Sequence, residues 1–226
     1  MNCKKLGTNI EGLLFLGFSK DEAKIMLSSL IVNKDKINFE NSIVYGMHDA
    51  PSGIQNMFVF KNLDGEDLKE NDTKYIQLPW SSLSPNIIVD FNKEFQNRNG
   101  SYKKNIEIGK YKDFLTKKKN TIDIYSTHYV DNIISSNTKL RQSYIGISLE
   151  VGDYIYIRGK KGKLNKAWVF QVLEEELNFK KNNGKWITQK KMRAIKEISN
   201  ETYEKIHAQR ASIWNMNINE KKLLNI

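Results

Sequence analysis

Apolar positions along this chain change their spacing several times, and each spacing predicts an element. Near the start, Ala23, Met26, Leu27 and Leu30 recur at helical intervals. They follow Ser19-x-x-Glu22, a capping box in which each residue satisfies the other's free amide, so a helix opens here. Residues 36–62 hold two strand-like runs, INFENSIVYGM and IQNMFVFKN, parted by the turn residues HDAPSG. NLDGEDLKENDTK (62–74) is acidic and turn-rich and should be exposed, and 80–85 is a short Ser/Pro connector. Between 86 and 113 two apolar runs flank Asn99-Gly100, a strong short-range hairpin signal, so this stretch is expected to be two antiparallel strands. Residues 121–130 and 144–158 also predict strands, with Val151-Gly152-Asp153 as a turn, and WVFQVLEEEL (168–177) predicts a buried strand or a helix start. KKNNGK (180–185) predicts a tight turn, and 189–209 a helix interrupted near Ser199-Asn200, with Ser199 able to cap its second half.

Mixed strands with flanking helices predict an α/β fold, a mixed β-sheet core with helices around it. At 226 residues one domain over 1–226 is expected. Its sub-regions are a helical N-terminal segment (1–35), a strand/loop segment (36–84), a hairpin and following strand (85–130), a basic β-hairpin (140–180) and a C-terminal helix (186–226).

Composition narrows the class. Twenty-four Phe, Trp and Tyr residues supply a core, which excludes a disordered tail. One cysteine, Cys3, permits no internal disulfide and suits a reducing compartment. GLLFLGF (12–18) is too short to span a membrane and has no cleavage-site pattern, so the expectation is a cytoplasmic protein. The net charge is +10, with thirty-one lysines and five arginines. The positive residues come in blocks: Lys117-Lys118-Lys119, then Arg158 with Lys160, Lys161 and Lys163, then Lys190-Lys191-Met192-Arg193. Such blocks neutralise phosphates and steer encounters with polyanions. The abundance of Lys, Asn and Ile also suits an A·T-rich genome, so a lysine coat that only solubilises is the bland alternative.

Two carboxylates stand inside the apolar runs around Asn99-Gly100. If those two residues form the loop, Asp90 and Glu107 become diagonal neighbours on one face, with Cβ atoms about 7–8 Å apart. Two such side chains could converge on one magnesium ion, which takes few carboxylates, several waters and a phosphate oxygen. The ion would lower the pKa of a bound water. The three histidines and Cys3 are too scattered for a zinc set, and no phosphate-binding glycine loop occurs.

Asp90, a connector, then Glu107 with a lysine shortly after resembles the PD-(D/E)xK signature of type II restriction endonucleases, with Pro85 five residues ahead of the aspartate. FLTKKKNTIDIYSTHY (114–129) is similar to the segment after the catalytic lysine in PvuII-like enzymes, and the likeness covers 85–129, about a fifth of the chain. The resemblance implies a restriction-endonuclease-like core, Asp90, Glu107 and Lys110 as the catalytic set, magnesium on the two acids, and base or phosphate contacts from Ser126, Thr127 and His128. Lys110 stands one position late, because Gly109 occupies the signature's lysine place. A β-bulge at Gly109 would re-aim it, and Lys93 or Lys112 are alternatives. A homodimer on double-stranded DNA is then expected, since a protein two-fold matches a palindrome.

The stretch 149–172 predicts an antiparallel hairpin whose Lys160–Lys163 loop could straddle a DNA backbone or project into solvent. The alternative to the nuclease is a non-catalytic nucleic-acid-binding protein using the same basic segments. A third reading is an interaction protein whose charge is genomic drift.

Overall fold

The computed structural model describes residues 13–14, 17–29, 37–48, 59–62, 64–79, 83–97, 101–103, 106–119, 124–159, 165–174, 176–182, 185–206 and 212–225. It is a mixed α/β structure with seven helices and a seven-stranded mixed sheet among those residues. In chain order the elements are α1 (Lys20–Ser29), a 3-10 turn at Phe39–Asn41, β1 (Val44–His48), β2 (Thr73–Gln77), α2 (Pro85–Phe95), α3 (Ile108–Lys118), α4 (Ile124–Ile134), α5 (Asn137–Ile147), β3 (Tyr154–Arg158), β4 (Ala167–Val172), β5 (Asn178–Asn182), β6 (Lys185–Glu197), α6 (Asn200–Lys205), β7 (Ile213–Asn215) and α7 (Ile218–Leu224).

Packing divides the chain into two units, where the sequence suggests one domain. The first, the sheet unit, comprises 1–76, 150–175 and 191–226; the second, the helical unit, comprises 77–149 and 176–190. Strand order is β2-β6-β4-β3-β1-β7, with β5 also paired to β6. β1 runs parallel to β3, while β3–β4, β4–β6, β1–β7 and β5–β6 are antiparallel.

In the sheet unit, β3 and β4 form the predicted hairpin, in register from Tyr154↔Gln171 to Arg158↔Ala167. Gly152 turns the chain into β3 at φ +90°, and its amide donates to the Val172 carbonyl. A left-handed φ of this kind is what glycine tolerates without steric cost. Every residue of both strands is buried, which explains why YIYI and WVFQV read as nearly continuous apolar runs. α1 starts as its capping box predicts: the Ser19 amide and hydroxyl donate to Glu22, at 2.8 and 2.6 Å. Ser199 caps α6, accepting from the Thr202 amide at 3.2 Å.

The expected helix over 189–209 is corrected. Residues up to Glu197 continue β6, and only Asn200–Lys205 is helical. Lys, Met and Ala favour helix locally, but β4 pairs with this stretch along Met192–Glu197, and the Asn71 and Asp72 backbone bonds Ala194. Tertiary pairing overrides propensity here. β5–β6 forms a hairpin with Asn182 opposite Lys185, as KKNNGK predicts.

In the helical unit the expected hairpin is also corrected: 85–95 and 108–118 are helices, and the Asn99-Gly100 turn lies outside the described residues. Ser84 is extended, as residues before proline must be, and Pro85 opens α2 where its missing amide costs nothing. Ile87, Ile88, Phe91 and Phe95 then share the buried face, and Tyr111, Phe114 and Leu115 do so on α3. Phe91 is the hub: its ring lies 4.9 Å from Phe95, 5.7 Å from Tyr111 and 5.4 Å from Tyr144. The tyrosine tips are paired, Tyr111 with the Ser143 hydroxyl and Tyr144 with the Lys103 carbonyl. Burial raises the Tyr111 hydroxyl well above its usual range. The expected strand 121–130 is α4, and the expected strand start at 144–147 ends α5.

Candidate nucleic-acid interface

Charge is unequally shared between the units. The helical unit carries 15 Lys and Arg against 7 Asp and Glu, a net +8, while the sheet unit carries 21 against 19, a net +2. The lysine block 117–119 and the acids Asp90, Glu94, Glu107, Asp113 and Asp131 lie on or beside α2, α3 and α4, so the candidate site is built there.

α2 and α3 place the sequence-predicted residues as follows. Asp90 is on α2, half-buried, and accepts from Lys118 at 2.5 Å and Lys93 at 3.3 Å. Those two ammonium groups, Lys118 first, hold its carboxyl below the usual carboxylate range. Glu107 is the exposed N-cap residue of α3, and its carboxylate lies 3.3 Å from Lys110 one turn on. Gly109 is helical, with open space about it, so no bulge exists to re-aim Lys110. The same-face strand geometry that paired Asp90 with Glu107 is therefore gone. Lys110 and Lys112 are exposed on α3, and Lys93 is the i+3 partner of Asp90.

The second group of residues also moves. Lys119 pairs with Asp131 at 2.9 Å, and Lys117 is exposed with no ion pair among the described residues. Ser126 is buried on α4. Thr127 donates to the Lys119 carbonyl, where it ties α4 to the end of α3. His128 is exposed on the same helix, not on a strand. Arg158 turns inward in the sheet unit: it is 3% exposed, donates to the Ile206 carbonyl at 2.5 Å and stacks 4.2 Å over the Tyr203 ring. Lys160, Lys161 and Lys163 lie outside the described residues.

What the structure does bring together is a cavity of about 390 Å³ within the helical unit. Glu94, Lys103, Glu107, Lys110, Asp113 and Lys117 line it over an apolar base of Phe95, Ile106 and Phe114. Glu107, Lys110, Asp113 and Lys117 fall on one helical face at steps of three and four, a spacing visible in the sequence once 107–118 is taken as helix. Glu94 stands one turn beyond Asp90. Sequence reasoning missed Glu94 and Asp113 because a strand alternates and a helix does not, and Lys103 because it lies in the extended segment before α3.

A magnesium ion held jointly by Asp90 and Glu107 does not fit these residues. Asp90 is already bridged by two lysines, and among the described residues no group of three or more His, Cys, Asp or Glu side chains could hold a metal ion. None of the helices formed by the described residues is long and apolar enough to cross a membrane. No family model matches the chain, and neither a curated protein nor a solved structure matches it.

Proposed function

We propose that this chain binds double-stranded DNA through its helical unit. The observation that carries this is the charge asymmetry: +8 of the net +10 resides in the unit built of 77–149 and 176–190. Within it Lys112, Lys117, Arg141 and Lys180 are exposed and make no ion pair among the described residues. Cations without internal partners have no ion pair to break on meeting phosphates, and each contact releases a condensed counterion. Fluorescence anisotropy with a labelled duplex tests this. Binding should weaken steeply between 50 and 200 mM salt, roughly tenfold or more for each two or so phosphate contacts. No retention at 50 mM salt would contradict it.

The narrower reading is magnesium-dependent hydrolysis of the bound DNA by a homodimer of restriction-endonuclease type. What supports it is that Glu107 and Lys110, two of the three residues the resemblance implies, line one cavity, which Asp90 does not. Incubation with a mixed plasmid and phage DNA panel plus magnesium should yield discrete fragments. Retention without cutting would leave the chain a binder alone.

A further inference from the structure

Only some of the cavity's charges are paired. Glu107 and Lys110 satisfy each other, and Lys103 donates to the Glu94 main-chain carbonyl at 2.8 Å. Glu94, Asp113 and Lys117 line the same space, yet none of the three makes an ion pair among the described residues. Carboxylates left without cations beside a lysine left without an anion, over an apolar base, match a ligand that offers hydrogen-bond donors at one end and an anion at the other. A phosphate alone does not match, because the carboxylates would repel it.

Resting on the DNA-binding reading, we propose that this cavity takes an unstacked nucleotide whose base bears an exocyclic amine, of the cytosine or adenine kind. Glu94 and Asp113 accept from the amine, as carboxylates do from cytosine N4. Lys117 faces the phosphate, and Phe95 and Phe114 supply the apolar base under the ring. Thymine is disfavoured because its O4 is an acceptor, which sets two negative oxygens against each other. The shared chemistry, an amino-bearing base joined to a phosphate, can come from a free mononucleotide or from a strand.

The test uses the full chain at pH 8 and fixed salt with four probes: dCMP, dTMP, and twelve-residue oligo(dC) and oligo(dT). Oligo(dC) should bind about tenfold more tightly than oligo(dT), the ratio expected of one good base contact. The double variant Glu94→Gln and Asp113→Asn should abolish or invert that ratio, since an amide can donate to thymine O4. Lys117→Ala should weaken both oligonucleotides alike and leave the ratio in place. A dCMP over dTMP preference would make the site a mononucleotide pocket, and a preference seen only with the oligonucleotides would make the strand the source. Equal affinity of the wild-type chain for oligo(dC) and oligo(dT), or a ratio untouched by the double variant, would overturn the proposal. If the duplex is still bound in that case, the DNA-binding reading stands and only the cavity assignment falls; if no nucleic acid binds, both fall.

Discussion

The two units solve different problems with similar materials. The sheet unit packs Tyr154, Tyr156 and Trp214 among aliphatic side chains such as Val44 and Ile195 and is close to electrically neutral; the helical unit packs a dense aromatic cluster under a strongly cationic exterior. The polar tips do not separate them. Around Phe91 the Tyr102, Tyr111 and Tyr144 hydroxyls each have a partner. Among the described residues each unit also holds buried side-chain atoms with no hydrogen-bond partner: Tyr156 Oη, Gln171 Oε1 and Trp214 Nε1 in the sheet unit, and Gln77 Oε1, Ser84 Oγ and Trp186 Nε1 in the helical unit. The lesson is that charge, not aromatic content, separates the units.

Substitutions in the two cores differ in cost. The largest effect is expected from Phe91→Ala. Its ring is fully buried and packs against Phe95, Tyr102, Tyr111, Phe114 and Tyr144, so the loss should be about 3–5 kcal/mol in chemical denaturation. A cost below about 1 kcal/mol would mean that the aromatic cluster does not hold the helices. Next comes Gly46→Ala in the sheet unit. A Cβ there would stand 2.1 Å from the Trp214 ring, and β1–β7 pairing leaves the indole little room to retreat. Overpacking of this sort costs about 1–3 kcal/mol, read as a lower denaturation midpoint; an unchanged midpoint would place the indole elsewhere. Tyr156→Phe should be nearly neutral or slightly stabilising, because the hydroxyl it removes is buried without a partner among the described residues. A clear loss of stability would reveal a bridging water or ligand at that oxygen.

Titration distinguishes the units more gently. Burial pushes the Tyr154 hydroxyl of the sheet unit up to about 12. A folded value above the unfolded one, near 10, gives stability that is intact below about pH 10 and is lost as the pH climbs from there towards 12. The tyrosinate absorbance of Tyr154, taken as the difference between the wild-type chain and a Tyr154→Phe variant, should therefore rise together with unfolding; a rise of that difference signal at about pH 10 in the intact fold would contradict this. Asp90 behaves oppositely. Its depressed value contributes stability above the unfolded carboxylate pKa, lost as the pH falls through the folded one. By NMR, Lys118→Met should raise the Asp90 value towards the ordinary range, and no change would remove Lys118 as its principal partner.

Much of the sheet unit was legible in the sequence, and less of the helical unit. The α1 capping box, the β3–β4 hairpin, the Gly152 turn and the Ser199 cap all follow from local chemistry that tertiary packing does not reverse. Residues 86–118 were misleading for a physical reason. Val, Ile, Phe and Tyr carry strand propensity, and Asn-Gly between two apolar runs imitates a hairpin. Yet Ile87, Ile88, Phe91 and Phe95 are also spaced for one helical face, and Ser84-Pro85 is a helix opening. The opposite error occurred at 189–197, where helix-forming residues were drawn into β6 by its neighbours. The candidate site shared that fate. Glu107, Lys110 and Lys117 stand out in the sequence as charged residues of interest, but Glu94 and Asp113 join them only when the stretch winds at about 3.6 residues per turn.

A paired salt titration separates the charge of the helical unit from that of the sheet unit. Lys110, Lys112 and Lys117 of the helical unit are replaced by alanine in one variant, and Lys69, Lys205 and Lys222 of the sheet unit, all exposed, in another. Duplex DNA affinity is measured for both from about 50 to 200 mM salt. The helical-unit variant should bind more weakly and flatten the log–log slope by about 0.9 for each phosphate it no longer neutralises, while the sheet-unit variant keeps the wild-type slope. Equal flattening in the two variants, or none in the first, would contradict the assignment of DNA binding to the helical unit.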